Sequence, residues 1–403
     1  MLIFGTHDEQ TLAQLRDVAR RAEHVALMAD GHVGFVMPIG GVAAYRNQVS
    51  VVGVGFDIAC GNCAIRTDLK AADFTRPQLV RIADEINATI SFGLGRTNQQ
   101  ADAPVDHPLF EGPAWEALPD PAREPLREIA RAQLGTVGSG NHYVDVFADT
   151  VDDHVWVGVH FGSRQLGHAI ASGFMALGQG GTWGQRVPEQ EVLLHLDSAL
   201  GQRYWAAMEL AGRYAYAGRE YVARKVVQIL GGRELDLVHN HHNFAWKEQH
   251  FGQELIVVRK GATPAFPGQR GFIGGSMGDD AVIVAGYEAA AGSGPDAIHA
   301  LQQQALFSTV HGAGRVMSRT AARGAPRGRR ARGRGAVTRW MMDDWIAAHG
   351  VIVRGGDVDE SPHVYRRLHE VLRDQRGTIV VQHTLRPLIV VMAAPDVVDP
   401  FKD

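Results

Sequence analysis

Short apolar runs that break at glycine, again and again, set the first limit on how this chain can fold. Between residues 25 and 65 they read VALMADGHVGF, PIGGVAAY and VSVVGVGFDIAC, and VWVGVHFG, ELIVVRKGA and DAVIVAGY follow later. Runs this short suit buried strands, and the glycines end them in tight turns. Helical spacing falls between them. Residues 7–23 carry Leu12, Leu15, Val18 and Ala22 on one face behind an apparent capping box, Thr6 to Glu9. Residues 76–93, 338–349 and 363–375 also read as helices, with a last strand over 378–394. A long helix is predicted over 190–229, with Leu200, Tyr204, Met208, Ala211 and Ala215 on one face. Strands and helices do not alternate as βαβ units would, so the expected fold class is α+β: one large domain, 1–403, of mixed β-sheets with surrounding helices. No internal repeat is visible. Residues 104–125 hold six of the 17 prolines and are expected to form a surface insertion.

Composition narrows the function classes. The net charge is −4, so attraction to a polyanion has to come from a local patch. The two cysteines, Cys60 and Cys63, are too few for a disulfide scaffold. The amino terminus lacks a basic stretch followed by an apolar one, and the late apolar segment is broken by His383, Arg386 and Pro387. A soluble protein of the cytoplasm is the expectation.

The chain has 19 histidines, so a single histidine means little; its setting means more. His142 lies in GTVGSGNH, His160 in GVHFGSR, His242 in HNHHNF and His311 in VHGAGR, mostly at the ends of β-like runs beside Gly, Ser or Asn. Asp57 and Cys60 share the turn GVGFDIACG. A carboxylate and a thiol three residues apart can bind one or two metal ions from one side, and mixed O, N and S donors suit Mn, Fe, Co or Zn better than Mg. The same residues read equally as a capped turn with two buried cysteines, or Cys60-x-x-Cys63 as a redox or zinc half-site.

Nine arginines, among them Arg315, Arg319, Arg329 and Arg330, fall between residues 315 and 339 with no acid among them. A solvated loop would explain them; so would a phosphate backbone, which favours RNA or DNA as partner. Gly274-Gly275-Ser276-Met277-Gly278 could offer backbone N–H groups to a phosphate, and Lys260-Gly261 adds charge nearby.

Eight ordered motifs, GVGFDIACG, GTVGSGNH, HFGSRQLGH, HHNFAWKEQHFG, RKGAT, GSMG, HGAGRVMSR and DESPHVY, resemble the RtcB family of RNA-splicing ligases from about residue 20 to 394. The resemblance implies a ligase that joins an RNA 3′-phosphate, or a 2′,3′-cyclic phosphate, to a 5′-hydroxyl, with GTP and two Mn²⁺ ions. By motif, His311 is the residue that takes GMP. Asp57, Cys60 and His142 would hold one ion, and Cys60, His160 and His242 the other. Asn141, His142, Asp145, Asn243, Gly274, Gly275, Ser276, Met277, His311, Gly312, Ala313, Gly314 and Tyr365 would line the nucleotide, and Arg315, Arg319, Arg329 and Arg330 would track the RNA. RNA repair and tRNA splicing are both open as its setting.

The chain departs from that pattern around the base. Asp145 stands for a Glu, Gly274 for a Pro, Ala281 for a Ser and Met392 for a Lys, and the early motif reads Met28-Ala29-Asp30-Gly31-His32. Losing the lysine alone removes a charge-assisted hydrogen bond worth roughly 1.5–3 kcal/mol, so a relaxed or changed nucleotide preference is expected. Two rivals remain. A two-metal phosphoesterase on RNA ends would survive His311→Ala, and a silent RNA-end binding protein would form no covalent adduct.

Overall fold

The computed structural model describes residues 1–289, 296–324 and 335–395. Two sheets dominate. The larger runs in the order Arg270–Ile273, Ala281–Gly286, Ile379–Met392, Tyr143–Asp149, His154–Phe161, Gly61–Lys70, Glu234–His241, with Ile352–Arg354 added alongside Ile379–Met392. The smaller runs Leu2–Ile3, His24–His32, Ile39–Tyr45, Gln253–Lys260, Asn243–His250. Nearly all pairings are antiparallel; the short strands Leu2–Ile3 and Ile352–Arg354 pair in parallel. This is the α+β architecture expected, since sequential antiparallel strands need no crossover helix.

The 32-residue helix Ala199–Leu230 packs across the larger sheet. The Ser198 hydroxyl accepts from Gly201 N at its start, and Gly231 ends it at φ 76°. Tyr204, Met208, Ala211 and Ala215 are buried as the spacing predicted. Residues 190–198 do not join it: Leu193–His195 pairs as a strand with Gln48–Ser50. The first helix is also shorter, Glu9–Val18, and its cap is Asp8 rather than Thr6, the carboxylate accepting from Thr11 N at 2.8 Å.

The proline-rich segment keeps much of its length at the surface and is anchored by a few large side chains. Two of its prolines open 3₁₀ turns, Pro108–Phe110 and Pro113–Ala117, and these drive Phe110 and Trp115 to complete burial in the largest core cluster. Full burial of side chains this size stabilises by roughly 1.5–3 kcal/mol each. Among the described residues, no helix is long and apolar enough to cross a membrane.

Candidate active site

Strand register gathers the site. In the larger sheet His160 pairs with Asn62 on one side and Tyr143 on the other, and Gly61 pairs with His241. Cys60, His142 and His242 each sit one residue off those pairs, so four strands deliver four ligand-type side chains to one end of the sheet. At His242 the chain leaves the larger sheet, and Asn243 begins the smaller one. His311 follows the short strand Ser308–Val310, which pairs with Ala262–Pro264 just beyond the smaller sheet. The junction encloses a cavity of about 730 Å³, a size common for small-molecule sites.

Cys60 Sγ lies 3.6 Å from His160 Nε2 and 3.7 Å from His142 Nε2, all three residues buried. The far side of each ring is fixed. His142 Nδ1 donates to Val137 O at 2.8 Å, and His160 Nδ1 to Asn62 Oδ1 at 2.6 Å; the Asn62 amide in turn donates to Phe272 O. Each Nε2 therefore keeps its lone pair toward the thiol, the arrangement that orients metal-binding histidines. His142 Nε2 is also 3.0 Å from Asp57 Oδ2. Two lone-pair groups that close need a proton or a metal cation between them. His242 continues the row, its ring 5.0 Å from that of His160 and 4.9 Å from that of His311, with a buried Nδ1 that has no hydrogen-bond partner among the described residues. These donors fit a divalent cation of the Mn or Zn type.

The charges agree. Burial holds the His160 and His242 pKa values well below the ordinary histidine value, so both rings are neutral at pH 7. Burial would raise Asp57, but His142, with Arg164 behind it, brings it to about 2. Burial and the Asp57 carboxylate push the Cys60 thiol well up, so a thiolate forms there when a cation displaces the proton. Cys63 points the other way, into the apolar cluster with Ile65, Val157 and Val159, and burial raises its thiol to about 12. The Cys60-x-x-Cys63 redox or zinc half-site is therefore excluded by strand alternation.

His311 faces a partner that its own motif did not name. Its Nδ1 lies 2.6 Å from Asp30 Oδ2, and the same oxygen accepts from the backbone N–H groups of His311 and Gly312. Asp30 is fully buried. Gly314 makes the approach possible: at φ 73°, a Cβ there would meet Asp30 O at 2.2 Å.

The cavity wall holds Asp57, Cys60, His160, His242 and Asn243, the 274–277 turn, His311 to Arg315, Arg319, Asn141, Asp145 and Tyr365. His142 stands beside Cys60 and Asp57. At one end Tyr143 and Asp145 pair across the sheet with Met392 and Val390, and all four line the cavity with Met277. The Asp145 carboxyl is held well above the usual carboxylate range by burial. Gly274 has a local reason: a Cβ there would lie 2.1 Å from the Tyr143 hydroxyl. Ala281 lies in the strand Ala281–Gly286, packed with Phe147 and Phe272, so that departure falls off the cavity wall.

The arginine row is less free than its sequence implies. Arg319 pairs with Asp359 and Glu360, Arg323 with Asp357 and Asp359, and Arg315 donates to the Tyr365 hydroxyl at 3.1 Å. Acids from 357–360 meet the local excess of positive charge. Arg329 and Arg330 lie outside the described residues. The Lys260 ammonium, read as charge near the turn, donates to Phe35 O and Val52 O.

A buried thiol–imidazole cluster that could hold a metal ion, with His311 and Asp30 beside it on one cavity, lies where the two sheets meet and is a candidate site for metal-assisted chemistry. Comparison with known proteins narrows the class: the family described as tRNA-splicing ligase RtcB matches residues 10–393. The RNA-splicing ligase RtcB of Escherichia coli K12 is 29% identical over 395 residues, covering 92% of this chain and 90% of that protein. The tRNA-splicing ligase RtcB of Thermococcus kodakarensis is 29% identical over 465 residues, covering 96% and 92%, and that of Archaeoglobus fulgidus 30% over 436 residues, covering 90% and 86%. The chain belongs to the RtcB family of RNA ligases.

Proposed function

We propose that this protein joins an RNA 3′-phosphate, or a 2′,3′-cyclic phosphate after hydrolytic opening, to a 5′-hydroxyl, with GTP as nucleotide donor. The observation that carries the reading is the Asp30–His311 contact at 2.6 Å on the wall of the cavity. An Nδ1–H turned toward that carboxylate would leave Nε2 its lone pair for attack. His311 Nε2 bonds to the α-phosphorus of GTP and pyrophosphate leaves. The P–N bond then breaks as GMP passes to an oxygen of the RNA 3′-phosphate. The 5′-hydroxyl oxygen attacks the activated phosphorus, its proton is lost, and GMP departs.

Two Mn²⁺ ions suit the donors: Asp57, Cys60 and His142 would hold one and Cys60, His160 and His242 the other. Bound divalent cations offset charge on the phosphoryl oxygens. Asn243 supports the wall, its Oδ1 accepting from Gly261 N at 2.7 Å. Asn141, the 274–277 turn and Gly312 to Gly314 border the space for the nucleotide, with Asp145 and Tyr365 at its edge. Among the described residues, the cavity end at Asp145 and Met392 carries an acidic group and apolar partners but no lysine or arginine, and this supports a relaxed guanine preference. Arg315, Arg319, Arg329 and Arg330 would follow the RNA; the first two must exchange carboxylates for phosphates to do so. The setting is RNA repair or tRNA splicing, in the cytoplasm.

Intact mass after incubation with GTP and Mn²⁺ tests the reading: one added GMP is expected, absent in His311→Ala while metal still binds. No adduct on the parent protein would defeat it. Label transferred only from GTP, among the four α-labelled nucleotides, would defeat the relaxed preference.

A further inference from the structure

Arg219 is fully buried in the middle of the helix Ala199–Leu230, and among the described residues no carboxylate pairs with it directly. Its hydrogen bonds go to neutral acceptors. Nη1 donates to Ala59 O at 2.8 Å and to Phe161 O at 2.6 Å; Nε donates to His239 Nε2 and Nη2 to His241 Nδ1, both at 2.9 Å. The Tyr216 ring lies against the guanidinium. A buried guanidinium is costly, and nothing in core packing calls for one here.

The two carbonyls explain the position. Ala59 immediately precedes Cys60, and Phe161 immediately follows His160. Ala59 is held at φ 61°, a left-handed conformation that strains a residue with a Cβ. Its N–H donates to Asn243 O at 2.7 Å and its carbonyl accepts from Arg219, so the peptides on both sides of the strained residue are pinned. One planar donor group thus joins the turn carrying Cys60 to the strand end carrying His160. It also occupies His241, which leaves His242 as the histidine of HNHH that faces the cavity.

We propose that Arg219 is a positioning residue that fixes the spacing of Cys60 and His160 for metal binding. The inference rests on the metal-site reading given above. A single ammonium cannot reach at once the four acceptors that Nε, Nη1 and Nη2 hold together, so Arg219→Lys keeps the charge and breaks the link between the two carbonyls and the two imidazoles.

The test is a Co²⁺ titration of the parent protein and of Arg219→Lys, read by the sulfur-to-cobalt charge-transfer band, with thermal unfolding of the metal-free proteins alongside. Arg219→Lys is expected to bind Co²⁺ about 10- to 100-fold more weakly, with a weaker band, while still folded. A folded Arg219→Lys with parental affinity and band overturns the inference. Should it not fold, His239→Gln, which loosens one anchor of the guanidinium, is read in the same way. Absence of any cobalt–sulfur band in the parent protein would instead defeat the metal site itself.

Discussion

One oxygen of Asp30 accepts from the backbone N–H groups of His311 and Gly312 at 3.0 and 3.3 Å and lies 2.6 Å from the ring Nδ1 of His311. A single buried carboxylate therefore holds the turn and stands against the ring. Asp30→Asn keeps the volume but removes the charge and lets the amide offer N–H to the ring. The rate of GMP adduct formation is expected to fall by about 10²–10⁴, the scale seen when a carboxylate that orients a catalytic histidine becomes an amide. Stopped-time mass spectrometry measures it; a change within about twofold would show that the contact does not govern the tautomer.

Cys60 and Cys63 should separate cleanly. Cys60 stands among His142, His160 and Asp57, whereas Cys63 is sealed in the apolar cluster. Cys60→Ser is expected to lower Mn²⁺ or Zn²⁺ affinity at least about tenfold with little change in stability. Cys63→Ser places a hydroxyl in that cluster and should cost about 1–3 kcal/mol of folding stability while leaving metal affinity alone. Calorimetric titration and urea unfolding read the two quantities, and equal losses of metal affinity would speak against the assignment.

Gly274 and Tyr143 share one space. The Tyr143 hydroxyl stands 2.1 Å from where a Cβ at 274 would be, and its ring lies near-parallel to that of His160 at 5.2 Å. Gly274→Ala is expected to destabilise by about 1–3 kcal/mol through overpacking. Tyr143→Phe removes the clashing oxygen and keeps the ring, so the double variant should recover part of the loss, with a coupling of about 0.5–3 kcal/mol. Strictly additive costs in urea unfolding would mean that the two positions do not meet.

The side chains that gather at the cavity were legible in the sequence because most stand near Gly, Ser or Asn at the end of a β-like run, and strand ends are where a sheet presents side chains to a cavity. The Asp30–His311 contact was not, since it spans 281 positions and exists only once two sheets meet. Arg219 reads locally as one more helix arginine. The prolines of segment 104–125 said little of how it packs: Pro108 and Pro113 open 3₁₀ turns, Pro121 and Pro125 lie in the helix Asp120–Gln133, and Phe110 and Trp115 anchor it in the core. The arginine row likewise hid its partners, because Asp357, Asp359 and Glu360 come from beyond the row. Residue type and local turn chemistry survive in one dimension; charge compensation does not.

Acid should unfold the metal-free protein earlier than its carboxylates alone would require. Burial holds His32 at about 4, and burial with Arg219 beside it holds His239 at about 3, against 6.5 for a free histidine. The unfolded chain therefore binds more protons than the folded one between these values and 6.5. The sign follows: the stability these rings contribute is full above pH 6.5 and is lost as pH falls toward 4 and then 3. A depression like that of His32 corresponds to a loss on the order of 3 kcal/mol. Asp57, lowered to about 2, acts in a separate window, below the ordinary carboxylate value of 3.8. Urea unfolding of metal-free protein from about pH 7.5 down to about 4.5 should show stability dropping through the histidine window. A flat profile there would mean that these rings already carry protons in the folded state.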